Sequence, residues 1–132
     1  MTYTPLDANN NPVTGLNIPT QSLDGGGSVT WTESSPGKYT GTITAGTKAG
    51  QVNIMPQIDG NDVASAPTVL TVTPGTVDAA KSTLTTPSPA SVPVNGTSTV
   101  TYTPLDANNN PVTGLNIPTQ SLDGGGSVTW TE

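Results

Sequence analysis

Residues 2–33 read TYTPLDANNNPVTGLNIPTQSLDGGGSVTWTE, and residues 101–132 repeat that string without one difference, 99 positions later. Identity over 32 residues is not two strands converging on similar physics. It is duplication, either in a repetitive gene or by an engineer's hand. A period of about one hundred residues is too long for a turn of a solenoid and suits one whole domain. The chain of 132 residues therefore holds slightly more than one domain's worth of sequence.

Composition narrows the kind of domain. There are 25 Thr, 15 Gly and 13 Pro, and no Cys, His, Arg or Phe. Thr favours pleated, half-buried surfaces, whereas Gly and Pro break helices and form turns. With 31% apolar residues the core is thin for a globular domain. A two-layer sheet structure suits a thin core, because only alternate side chains of a strand face inward. Such a composition is also compatible with disorder, but the apolar residues fall in ordered alternation, which argues for strands.

The alternation maps strands along one period. Thr99–Leu105 places Val100 and Tyr102 on one face, and Asn116–Leu122 is a second, Pro-interrupted strand ended by Asp123 and three glycines. Ser28–Glu33 puts Val29 and Trp31 on one face, and Ser35–Lys38 is a tight turn in which Pro presets φ and Gly takes φ > 0. Lys38–Ala45 aligns Tyr39, Gly41, Ile43 and Ala45, and Gln51–Ile58 aligns Val52, Ile54 and Ile58 around a bulge or edge at Pro56. Asp59–Asp62 turns the chain into Thr68–Thr73, which supplies Leu70 and Val72. Lys81–Val94, interrupted by Pro87, Pro89 and Pro93, reads as a broken first strand at a sheet edge. About seven strands per period is the count of an immunoglobulin-like β-sandwich.

Four segments in this order carry a family resemblance: Val94–Tyr102 (VNGTSTVTY), Asp106–Gly114 (DANNNPVTG), Gly37–Gly50 (GKYTGTITAGTKAG) and Ile58–Gly60 (IDG). Together they cover one full period, and the sequence resembles the bacterial Ig-like repeats of intimin and invasin adhesins. The resemblance implies an all-β, immunoglobulin-like sandwich that forms part of a rod, holding a binding tip away from the cell and anchored by an outer-membrane barrel. Neither barrel nor tip lies in this sequence. The expected location is the bacterial cell surface, and the expected partners are neighbouring identical repeats, with direct binding of a host surface protein as the alternative. An engineered duplicate that lets one domain fold in either of two frames is a third reading.

By this resemblance a repeat starts near Val77 or Asp78, so residues 1–75 are a repeat lacking its first strand, and residues 76–132 begin the next. Met1 reads as a start codon added to a fragment. The two identical segments compete for one place in any single sandwich, which is then built from permuted or swapped strands of two adjacent repeats. Three pairings are open. The chain closes on itself with one duplicate left over, two chains exchange segments, or the folding boundary lies inside the duplicate so that one sandwich uses both copies. The connector Pro74–Asp78 spans at most about 17 Å, short for an internal return.

Nine Asp and Glu oppose three Lys, for a net charge of −6. Nucleic acid is excluded as a partner because phosphate neutralisation needs clustered Lys and Arg, and no apolar run reaches the length of a membrane span. Catalysis has little to work with, since there is no His, thiol or Arg; the expectation is no enzyme and no cofactor. Asp7, Asn9 and Asn11, with Asp106 heading the second copy, resemble the opening of a calcium loop, but the glycine at the sixth position and the Glu at the twelfth are replaced by Pro12 and Ile18. Asx-turn chemistry explains the same residues without a metal. Asp24–Ser28 lacks the Lys and helix of a phosphate cradle and reads as a flexible inter-strand loop. Asn95–Thr97 matches a glycosylation acceptor but reads as a turn, and Trp31 and Trp130 read as core or sheet-face aromatics.

Overall fold

The computed structural model describes residues 1–132 and divides them into two compact units, Met1–Thr73 and Pro74–Glu132. The architecture is all-β, with two single-turn 3-10 segments, Asp24–Gly26 and Asp123–Gly125. The first unit contains β1 (Thr2–Tyr3), β2 (Gln21–Ser22), β3 (Ser28–Ser35), β4 (Lys38–Thr44), β5 (Gly50–Ile54), β6 (Gln57–Ile58), β7 (Asn61–Asp62) and β8 (Thr68–Val72). The second contains β9 (Thr83–Leu84), β10 (Tyr102–Thr103), β11 (Gln120–Ser121) and β12 (Ser127–Val128).

In the first unit one antiparallel sheet runs β1-β4-β3-β2, and β5 pairs with β8. Leu23, just after β2, and Val29 of β3 meet Val52 and Ile54 of β5, with Trp31, Ile43, Leu70 and Val72 packed around them. These are the inward residues of the predicted alternation, and they make the two layers of an immunoglobulin-like sandwich. Burying a side chain of the Val, Leu or Ile class contributes about 1.5–3 kcal/mol, so four such residues dominate what holds the layers together. Trp31 lies directly across from Gly41 on β4, and a methyl at Gly41 would meet its ring at 2.9 Å. Glycine there gives the indole its berth. Ser35 pairs with Lys38, so Pro36 and Gly37 form a two-residue hairpin loop, with Gly37 at φ 74°. The β6–β7 hairpin turns on Asp59 and Gly60, both at positive φ, the pairing expected of a type I′ turn.

Several predicted strands are shorter than expected. The one predicted over Gln51–Ile58 ends at Ile54 and resumes at Gln57, because Pro56 has no amide proton for a ladder. The first strand predicted over Lys81–Val94 is reduced to Thr83–Leu84 plus an isolated bridge between Ser88 and Thr99, for the same reason at Pro87, Pro89 and Pro93. The strand predicted over Thr99–Leu105 is reduced to Tyr102–Thr103, with isolated bridges at Thr99 and Leu105, and that over Asn116–Leu122 to Gln120–Ser121.

The second unit pairs β9 with β10 and β11 with β12. Its buried residues are Asp106 and Asn110, both polar. None of its large apolar side chains is buried, and some stand open: Leu84 is 64% exposed and Val94 91%.

Candidate functional site

The two copies of the Asp-Ala-Asn-Asn-Asn loop follow β1 and β10. In each, the chain leaves the strand, turns, and closes on itself through a bridge, Leu6 to Pro12 and Leu105 to Pro111. In the first copy, Oδ1 of Asp7 accepts the amides of Asn9 at 2.8 Å and Asn11 at 2.9 Å, and Oδ2 accepts Nδ2 of Asn11 at 3.1 Å. Asn10 sits at φ 62°, a conformation Asn tolerates better than most residues. The amide of Asp7 returns a bond to the carbonyl of Asn11 at 2.9 Å. This is Asx-turn geometry. The carboxylate oxygens face N–H donors of their own loop, and Asn11 turns its nitrogen toward Asp7. No group of three or more acidic, His or Cys side chains gathers anywhere in the chain.

Asp106 repeats the set: its Oδ1 accepts the amides of Asn108 at 2.9 Å and Asn110 at 2.8 Å, and its Oδ2 accepts Nδ2 of Asn110 at 2.9 Å. One bond is new. The amide of Gly75 donates to Oδ2 of Asp106 at 2.9 Å. Val77 bridges Asp106, and the amide of Asp78 donates to the carbonyl of Leu105 at 2.8 Å. Ser82 continues the seam, its Oγ accepting the Leu105 amide at 2.9 Å. The connector thus lies over the loop, and Asp106 is 3% exposed, whereas Asp7 is exposed. The side-chain bond from Asn110, the Gly75 amide and then the loop amides lower the Asp106 carboxyl to about 2, against the opposing effect of burial. Asp7 is lowered as well, first by the backbone and side chain of Asn11 and then by the amide of Asn9.

Other anchoring groups carry no motif. The Tyr39 hydroxyl accepts the amide of Leu16 at 2.9 Å and donates to the carbonyl of Val13 at 3.3 Å, tying the segment after the Asp7 loop to β4. The Glu33 carboxylate accepts the amides of Gly37 at 2.8 Å and Gly15 at 3.2 Å. Tyr3 donates to the carbonyl of Val63 at 2.9 Å. An isolated Tyr or Glu in a Thr-rich strand gives no hint of such a partner; only the alternation that turns Tyr39 inward was visible.

The glycine run Asp24–Ser28 forms a turn between strands, closed by the amide of Leu23 on the carbonyl of Gly27 at 2.8 Å. A methyl at Gly27 would meet the Thr44 carbonyl oxygen at 2.5 Å and the Gly46 nitrogen at 2.8 Å. Gly27 is glycine because another backbone crosses it, while Gly25 and Gly26 take positive φ. Asn95 takes φ 65° and the Gly96 amide donates to the Pro93 carbonyl at 2.8 Å, a turn, as its residues suggest.

Three comparisons place the chain. The family model described as "Invasin, domain 3" matches residues 1–75. The inverse autotransporter adhesin YeeJ of Escherichia coli (strain K12) is 36% identical over 75 residues, which are 54% of this chain and 3% of that protein. The solved structure of FdeC, described as a broadly conserved Escherichia coli adhesin, superposes with a TM-score of 0.78 at 30% identity, over 96% of this chain and 46% of that one. The chain thus spans a small part of the curated relative and under half of the solved one. With more than half of its residues matched by the family model and its two-layer β core in hand, the chain belongs to the invasin domain 3 family, an Ig-like adhesin module and not an enzyme.

Proposed function

We propose that the chain is a repeat from the stalk of a bacterial surface adhesin, a spacer whose partners are the repeats before and after it. It holds a binding tip away from an outer membrane that other parts of the parent protein enter. The observation that carries this reading is the fastening of the connector: Gly75, Val77 and Asp78 are bonded to the loop headed by Asp106. Domains joined by a free linker move independently by default. Here the linker is bound to the repeat that follows it, and Pro74 fixes φ at the remaining joint. Stiffness per repeat is what a spacer requires, and verbatim repetition is how length is added without new design.

The reading is tested on arrays of two, four and eight periods. Small-angle scattering should show maximum dimension growing in proportion to repeat number, and Asp106→Ala in every period should make that growth shallower. Growth that saturates as for a flexible chain would overturn the spacer role. So would saturable binding of the arrays themselves to host cells, which would make the repeat a ligand-binding module in its own right.

A further inference from the structure

The chain holds three Lys and no Arg, so only the peptide bonds after Lys38, Lys48 and Lys81 follow a cationic side chain. All three Lys are exposed. A protease of the trypsin class, whose acidic S1 pocket takes such a side chain, can therefore reach each of these cations. Cleavage needs more than the cation. The cleft takes its substrate as an added extended strand, bonded through the backbone, so backbone that is already bonded elsewhere must first be released.

Each of the three bonds lies in such backbone. Lys38 opens β4, a strand flanked by β1 and β3. Its carbonyl accepts Oγ of Ser34 at 3.2 Å. Tyr39, on the other side of the bond, is 1% exposed and pairs with Tyr3 on one side and Glu33 on the other. No edge is left there for an added strand. Lys48 is followed by half-buried Ala49 and by Gly50, which pairs with Val72. Before it, the amide of Thr47 donates to the carbonyl of Gly25 at 3.0 Å. Lys48 itself lies against the glycine turn, where a methyl at Gly25 would meet its Cβ at 3.1 Å and its carbonyl oxygen at 3.3 Å.

Lys81 lies in a turn gathered on Asp78. The Asp78 carbonyl accepts the amides of Lys81 at 3.2 Å and Ser82 at 3.0 Å, and the hydroxyl of Ser82 at 2.8 Å. The same hydroxyl accepts the amide of Leu105 at 2.9 Å. This backbone cannot extend into a cleft without breaking all four bonds. The open segments have a different composition. Residues 64–67, between β7 and β8, are exposed throughout and join no ladder, and exposed loops of small residues are where proteases nick first. They hold no Lys, and neither do the exposed residues 90–97.

We propose that the folded module is closed to trypsin-class proteases through the placement of its cations. Every Lys sits on backbone that is already bonded, and the loops that a protease can enter carry none. Cleavage after Lys38, Lys48 or Lys81 then proceeds only through opened states, at a rate set by their population. Further repeats on either side add cover and remove none of these bonds. The proposal does not rest on the stalk reading, since a ligand-binding module displayed outside a cell would gain from it equally.

The test is trypsin digestion of the full-length chain beside Ser65→Lys, which puts a cation in the open loop, with the fragments read by mass spectrometry. The variant should be cut after position 65, and the unmodified chain should be lost more slowly by about two orders of magnitude or more. Above the urea midpoint the unmodified chain should be cut after all three Lys, about as fast as Ser65→Lys in the same urea. Native cleavage after any of the three Lys as fast as cleavage after position 65 would overturn the proposal. So would a native Ser65→Lys chain as resistant as its parent, because the loops would then be closed too and placement would protect nothing. Slow cleavage in urea would overturn it as well, since the bonds would be poor substrates whatever the fold. Ala64→Lys, at a second position of the loop, replaces Ser65→Lys if that variant lowers the urea midpoint.

Discussion

Residues 2–33 and 101–132 are one sequence in two settings. Leu23 is 8% exposed and its counterpart Leu122 is 48% exposed. Val29 lies in the centre of the core, while Val128 is half-buried. With Asp the order reverses: Asp106 is buried and Asp7 is open. The apolar residues need strands that follow them in the repeat, and the Asp needs a connector that precedes it. Each copy has one of these neighbours. Local features such as the Asx turn, the glycine turn and the aromatic pair form in both, so they are written within the 32 residues; burial is not, and depends on what stands alongside.

The sharpest way to break the comparison is at the glycine turn. Gly27 has an extended backbone, with φ −81°, so alanine there meets no conformational strain. Its methyl would strike the Thr44 carbonyl and the Gly46 nitrogen, and overpacking against backbone that cannot yield costs about 3 kcal/mol. At the matching Gly126 a methyl finds only the side chain of Leu122 at 3.8 Å. Gly27→Ala should lower the urea midpoint of the first unit strongly, and Gly126→Ala should change stability by less than about 0.5 kcal/mol. Equal effects would mean that backbone crosses the second glycine turn in solution as it does the first, and would break the comparison.

The Asp pair gives the next largest contrast. Asp106→Ala leaves the amides of Gly75, Asn108 and Asn110 without their acceptor in a closed seam, and hydrogen exchange at those amides should quicken roughly tenfold or more. Asp7→Ala exposes its donors to water that is already there, so exchange at Asn9 and Asn11 should quicken much less. Tyr39→Phe follows, at about 1 kcal/mol, and acts on the first copy alone because only there does a hydroxyl hold the amide of Leu16. An equal change in exchange at Leu115 would break that assignment.

The fold was largely legible because alternation is a strong signal where strands are long. Val29 with Trp31, Tyr39 with Gly41 and Ile43, and Val52 with Ile54 all face as their spacing predicts. Where proline interrupts, as in 81–94, the backbone has too few donors for a ladder, and the predicted strand comes out as two residues. The Asx turn at Asp7 was readable from its own residues. The role of Asp106 was not, since its distinguishing bond comes from the amide of Gly75, 31 positions earlier, and a backbone amide has no letter in a sequence.

Acid offers the finest test of that bond. The folded-state carboxyl of Asp106 lies at about 2, below the value of about 3.9 for an unfolded Asp. A depressed carboxyl stabilises the folded form above the unfolded value, and this contribution is lost as pH falls from about 3.9 through about 2. Protonation turns acceptor oxygens into a hydroxyl and a weaker carbonyl without removing the side chain, so the seam should loosen by less than in Asp106→Ala. Amide exchange at Gly75, corrected for the intrinsic effect of pH, should lose protection across that window in the unmodified chain. In Asp106→Asn, where nothing titrates at the site, protection should be flat. A flat profile in the unmodified chain would mean that the carboxylate charge does not hold the connector, and the different burial of Asp7 and Asp106 would then be a matter of packing alone.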